Sequence, residues 1–291
     1  MLADAMPWWV NAATFVYLAG LLAIVGAASA ARLMPVPGRW AWAAACVLAA
    51  GLAFRLAAQV QSAFGEIGIT LERIELLLTA TPWGRGWMWQ AAAVVLVLPP
   101  AWAVRKTQAR SGSLTVAAVI AAGTAALTGH AVGLTDRLWI TVPAHAVHVV
   151  AAGLWMGTLG FLVAGLGSAW TAPPGPERRA QISDAVLRFS LLALGVVPLV
   201  VLSGLVAGFV HLGELERLWT TSYGRMLMLK VVVFLAAAAC GAVNWRLVAP
   251  RLATDDRAEP RLRRLAGLEV ALGAATLVLT SILVALPMPA E

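Results

Sequence analysis

Eight apolar runs follow one another along this chain of 291 residues, and each is close to the roughly 20 residues that an α-helix needs to cross the hydrocarbon core of a bilayer. They fall at about 8–31, 41–63, 84–104, 113–131, 143–167, 187–210, 224–248 and 265–286. A backbone in lipid must satisfy its own N–H and C=O groups, so runs of this length predict helices. With 61% hydrophobic against 12% charged residues and a mean hydropathy of +0.84, too little polar surface remains to build a soluble domain around them. The predicted fold is an all-α integral membrane protein of eight transmembrane helices. Met1-Leu-Ala-Asp4 has no basic n-region, so the first run is expected to stay as a helix rather than leave as a signal peptide.

The net charge of +7 would suggest a nucleic-acid partner until it is placed on the chain. The odd-numbered loops and the helix ends beside them carry fourteen Lys and Arg, the even-numbered ones five. That asymmetry puts the odd loops in the cytoplasm and both termini outside, and leaves lipid rather than nucleic acid as the partner. Trp8, Trp9, Trp83, Trp87, Trp139, Trp170 and Trp219 fall at span ends, as an interfacial aromatic belt does. Cys46 and Cys240 sit far apart inside apolar runs, which excludes a disulfide framework and a CxxC metal motif and reads as packing. In the second loop, Leu71, Ile74 and Leu78 alternate with Glu66, Glu72 and Glu75 in the pattern of a short helix lying on the membrane surface.

Two decapeptides repeat at an offset of 140 residues: Thr81-Pro-Trp-Gly84-Arg85-Gly-Trp-Met88-Trp-Gln90 and Thr221-Ser-Tyr223-Gly224-Arg225-Met-Leu-Met228-Leu-Lys230. Both open an odd-numbered span from outside. The chain is therefore divided into an N-terminal four-helix half, 1–135, and a C-terminal one, 136–291, as parallel repeats. Under this division Met288 is the counterpart of His130.

All four histidines, His130, His145, His148 and His211, lie at the outer ends of their spans. His145 and His148 share a helix face, and at 100° per residue Met156 returns to within about 20° of His145. Imidazole suits transition-metal ions and thioether the softer of them. We expect His130, His145 and His148 to converge on one ion, with Met156 about 16 Å below His145 as a second station. His211 and Met288 are weaker candidates, and His211 reads as a rim residue. Histidines on neighbouring spans also hold b-type haem through axial imidazoles, or simply pack. Ionisable residues inside spans are costly and tend to face a bundle interior. Those here are Arg55, Lys230, placed to hold a carboxylate or substrate anion, and Glu269, placed to pair with Arg246 or Arg188. Trp155, inside span five, is no belt residue. Pro198 with Ser203-Gly204 is expected to break or bend span six. No cysteine pair or acidic cluster marks a cytoplasmic exit.

From 187 to 287 the order Arg188-Phe-Ser190, Leu202-Ser-Gly204, Thr221-Ser-Tyr223-Gly224-Arg225 through Lys230, Asn244, Leu262-Arg-Arg264-Leu and Glu269 resembles the copper resistance D (CopD) family. Gly129-His130-Ala131 and His148 through Trp155-Met156-Gly157 are similar to it more loosely. The Tyr223-Gly-Arg225…Lys230 stretch is the most specific part. The resemblance implies a non-enzymatic protein of the bacterial inner membrane that handles copper, as Cu(I) or Cu(II), brought by periplasmic carriers of the CopC type and usually taken into the cytoplasm. The alternatives are a b-type haem redox protein, and an assembly or scaffold protein that passes copper on without translocating it.

Overall fold

A computed structural model of the chain describes residues 7–65, 68–107, 111–129, 137–168, 175–255 and 257–287. His130, Met288, Glu66 and Trp170 lie outside the described residues. The described chain is helical: α1 Trp8–Ala30, α2 Gly38–Phe64, α3 Leu71–Ala80, α4 Pro82–Thr107, α5 Gly112–Thr124, α6 Leu138–Ala152, α7 Thr158–Ser168, α8 Pro176–Leu212, α9 Arg217–Thr220, α10 Ser222–Val243 and α11 Ala258–Leu283. A π turn, Gly153–Gly157, joins α6 to α7, and another, Asn244–Val248, extends α10. The all-α membrane class is as expected. Seven of these helices, counting α6 with α7 as one, are long and apolar enough to span a membrane, and the expected fourth span is the shorter apolar helix Gly112–Leu127. Ser111 caps it by accepting from the Leu114 amide at 3.2 Å.

The ends of the bundle differ in arginine, and we call them the arginine-poor end, where α2, α5 and α8 finish, and the arginine-rich end. At the latter, Glu259 of α11 accepts from Arg178 of α8 at 2.9 Å and from Arg263 at 3.0 Å. Arg263 also donates to the Leu166 carbonyl of α7. Three helices are thereby tied where their polar ends leave the apolar layer.

Helix α1 is the axis of the bundle, in contact with α2, α5, the first π turn, α7 and α11. Tyr17, Leu21, Ile24 and Val25 along it are at most 2% exposed. Small residues let the backbones close up, which is how helices associate where lipid removes the hydrophobic drive. A Cβ on Gly51 of α2 would lie 2.6 Å from Tyr17 Cα, and Gly26 of α1 sits directly on Gly157. A second core gathers Trp155, Leu159, Phe189, Val196, Ala237 and Ala266 from α7, α8, α10 and α11 and the π turn. The far side of α8 presents Leu191, Leu194, Leu202, Leu205 and Phe209, all exposed, at the i, i+3, i+4 spacing of one helix face turned to lipid. Despite Pro198, α8 is helical without interruption from Pro176 to Leu212. The departures from α-helical hydrogen bonding lie instead in spans five and seven, as the two π turns.

The repeated decapeptides fold alike. Thr81 caps α4 by accepting from the Gly84 amide at 2.9 Å while donating to the Leu77 carbonyl at 2.7 Å. Thr221 caps α10 by accepting from Gly224 at 3.0 Å and donating to Arg217 at 2.7 Å. In both, the glycine is pressed on the preceding short helix: a Cβ would come 2.5 Å from the Cα of Leu78 or of Leu218. The α3 helix has the expected surface character, with Leu71 86% and Leu76 52% exposed. Its N-cap is Thr70, which accepts from the Arg73 amide.

Candidate functional site

Helix α6 begins at Leu138, five residues before the apolar run suggested, so His148 lies about 15 Å along it rather than at its rim. Its ring points at α8. His148 Nδ1 is 3.1 Å from the Val200 carbonyl oxygen and 3.1 Å from Ser203 Oγ. Ser203 spends its only proton on the Leu199 and Val200 carbonyls of its own helix, so towards the imidazole it can only accept. A carbonyl oxygen also only accepts. Both contacts therefore require the proton on Nδ1, which leaves Nε2 with its lone pair. A ligand histidine is commonly held in this way, its other nitrogen donating to a backbone carbonyl. The ring fits because Gly204 lies beneath it, where a Cβ would be 3.4 Å from Cε1. Ser203 and Gly204, expected to break the helix, seat His148 instead.

His145 and Lys230 are both within electrostatic reach of His148. Lys230, eight residues into α10, is at about 12 Å depth, close to the level of His148. His130 is outside the described residues. His211, the last residue but one of α8, is only 6% exposed: its Nδ1 is 3.2 Å from the Tyr223 hydroxyl, with the rings edge to face. This pair closes the arginine-poor end of α8 against α10, among Leu212, Leu283 and Leu218. It is separated from Ser203, and so from His148, by two turns of α8. Arg225 is turned outwards and donates to the Trp219 carbonyl at the α9–α10 corner.

Met156 does not lie on the His145 line. The π turn carries one residue more than an α turn, which sets back every later side chain by up to about 100°. Met156 instead packs on α11, where a Cβ on Gly273 would come 3.1 Å from its Sδ. Its neighbour Trp155, 4% exposed, donates its indole N–H to Glu269 Oε1 at 3.2 Å and meets Phe234 edge to face. Glu269 is 2% exposed and also accepts from Asn244. It rests on Gly241, whose Cβ would be 2.9 Å from Oε1, and Cys240 is close enough to feel its charge. The expected Arg188 or Arg246 partner is not used. Arg188 pairs with Asp184 at 3.0 Å and Arg246 stacks over Trp245. The reason is depth: α11 starts at Ala258, which puts Glu269 near its middle, out of reach of the arginine-rich end. Gly204, Gly241 and Gly273 belong to the site although neither hydropathy nor ligand spacing marks them. A glycine in a span facing a buried polar or sulfur side chain is the signal that would have found them.

What the chain presents, then, is a many-helix membrane protein with an oriented histidine, a thioether and a buried carboxyl along one seam between α6–α7 and the helices α8, α10 and α11. Residues 183–283 match the family described as Copper resistance protein D. The chain is 30% identical over 213 residues to Inner membrane protein YebZ of Escherichia coli (strain K12), covering 71% of this chain and 69% of that one. It is 29% identical over 258 residues to Copper transport protein CutJ of Bacillus subtilis (strain 168), covering 84% of this chain but 45% of the length of CutJ. No solved structure matches. The chain belongs to the copper resistance D family.

Proposed function

We propose that the protein binds copper at the arginine-poor end, facing the periplasm of an inner membrane, and conducts it inward along the α6–α7 seam. The observation that carries this reading is His148, fixed by Val200 and Ser203 so that Nε2 is left to meet an ion. His145, one turn nearer the surface, adds a second imidazole to the entrance, and His130 is the third ligand that the sequence offers. The ion comes from a soluble CopC-like carrier or directly from solution. Lys230 beside His148 keeps the site from becoming a trap, since conduction needs binding that is strong enough to enter and weak enough to leave. The Met156 thioether over Gly273 is the next station and favours Cu(I). Glu269 lies one turn further along α11 towards the arginine-rich end, with Cys240 beside it, and offers the carboxylate and thiol that the sequence did not mark as an exit. The match of residues 183–283 to Copper resistance protein D and the likeness to a relative named Copper transport protein CutJ support copper as the ion.

The test is metal binding by the purified protein, then copper uptake into proteoliposomes. We expect about one copper per chain, lost or much weakened by His148→Ala, and uptake above that of empty liposomes that falls with Glu269→Gln. Binding unchanged in His148→Ala refutes the site. Uptake no faster than empty liposomes leaves a protein that passes copper on without translocating it, and a Soret band at stoichiometric haem would make it a cytochrome.

A further inference from the structure

Arg55 of α2 is 9% exposed and no carboxylate pairs with it among the described residues. Its Nη1 donates to Gln90 Oε1 at 3.1 Å and its Nη2 to Thr128 Oγ1 at 3.2 Å. The guanidinium lies over the Tyr17 ring at 4.7 Å and 5.8 Å from that of Trp83. Gln90, fully buried, is itself fixed, because its Nε2 donates to the Thr124 carbonyl and to Thr128. This is a built cradle rather than a side chain caught in packing. It holds a group that stays charged and carries five N–H donors, of which these bonds use two. Uncompensated, such a charge is strongly unfavourable inside a bundle, and aromatic faces offset only part of that.

In front of the guanidinium lies a cavity of about 170 Å³ bounded by Val10, Thr14, Gln59, Trp83, Gly129 and Val284. These come from the arginine-poor ends of α1, α2 and α4 and from the ends of α5 and α11, so the cavity sits at the level of the membrane interface. Thr14 and Gln59 add hydrogen-bonding groups, and the planar fork of Arg55 matches an oxyanion. We propose that this cavity is an oxyanion site, taking a phosphate group either from a lipid headgroup or from free phosphate. The proposal rests on Arg55 and its neighbours and does not depend on what the His148 seam carries.

The full-length protein, delipidated in detergent, is titrated with inorganic phosphate while the emission of the tryptophans, Trp83 among them, is followed. In parallel, the phospholipid retained after extraction from phosphatidylglycerol nanodiscs is counted by native mass spectrometry. Two variants are compared with it. Arg55→Gln removes the charge, and Ala58→Leu fills the cavity from its wall while leaving Arg55 and its bonds in place. We expect a saturable phosphate response, or one retained lipid, that is weakened about tenfold or more in both variants. Loss of the phosphate response alone identifies a free anion, and loss of the retained lipid identifies a headgroup. A wild-type protein that shows neither, or variants that bind as the wild type does, overturns the proposal. Should Arg55→Gln not fold, Ala58→Leu decides.

Discussion

Gly157 and Gly160 are three residues apart in span five, and the structure assigns opposite signs to the same substitution at the two. A Cβ on Gly157 would lie 2.9 Å from the Leu22 carbonyl carbon and 3.0 Å from Gly26 Cα, and closer still to the Leu22 carbonyl oxygen. All three are backbone atoms of α1, so no side chain can turn away, and the helices must part by roughly 1 Å to reach van der Waals contact. Forcing a methyl group into a packed site destabilises by about 1–3 kcal/mol. Alanine regains at most about 1 kcal/mol of helix propensity over glycine. Overpacking wins, and Gly157→Ala should lose about 1–2 kcal/mol. Around Gly160 a Cβ meets nothing within 4 Å, so Gly160→Ala should fall between no change and a gain of about 1 kcal/mol. Reversible unfolding in mixed micelles of dodecyl maltoside and dodecyl sulfate measures both. Gly157→Ala as stable as Gly160→Ala would refute the close crossing of α1 over the π turn. Since that turn carries Trp155 and Met156, the Gly157 variant should also bind copper more weakly.

Thr81→Ala and Thr221→Ala remove equivalent caps of α4 and α10, and each should lose about 1 kcal/mol in the same unfolding assay. Serine at either position should restore most of it, and an effect at one cap only would show that the two copies are not equivalent. Trp155→Phe keeps the ring contact with Phe234 but deletes the donor to Glu269, for about 1–3 kcal/mol. Glu269→Gln still offers an amide oxygen to the indole and should lose less. A double-mutant cycle should return a coupling of about 0.5 kcal/mol or more, and costs that simply add would mean that the indole and the carboxyl do not interact.

Most of the helices were legible in the sequence because about 20 apolar residues between arginines have few other folds available. What hydropathy missed lay at helix ends and in the turns within them. Helix α11 begins before its apolar run because Arg261, Arg263 and Arg264 occupy its first turns and Arg263 anchors to Glu259. A hydropathy window discards those turns, and Glu269 was therefore placed near an end instead of the middle. The π turn leaves no mark in Gly-Leu-Trp-Met-Gly, and Gly26, against which it presses Gly157, lies 131 positions away. With it went the alignment of Met156 under His145. The break expected at Pro198 does not occur, because proline removes a single backbone donor and neighbouring helices support α8 through the gap. His145 and His148 were recognisable from spacing alone. The chemistry that orients His148 comes from Val200 and Ser203, more than fifty residues away.

The charges along the seam have an order that bears on direction. On the proposed path a copper ion at His148 would sit beside the Lys230 ammonium, and one near Met156 would be a turn from the Glu269 carboxyl. For two unit charges about 8 Å apart at an effective dielectric of about 20, the interaction is roughly 2 kcal/mol. That is about thirtyfold in affinity, unfavourable beside Lys230 and favourable near an ionised Glu269. Lys230→Met preserves length and apolar packing while removing the charge, so it should tighten copper at His148 by about tenfold or more. Conduction should nevertheless slow, since the ion then starts from a deeper well. Equilibrium copper titration and proteoliposome uptake read the two effects separately, and they must move in opposite directions. If Lys230→Met weakens binding, the ammonium is instead holding an anion that helps to bind the metal, and the descent from lysine to glutamate does not drive the ion.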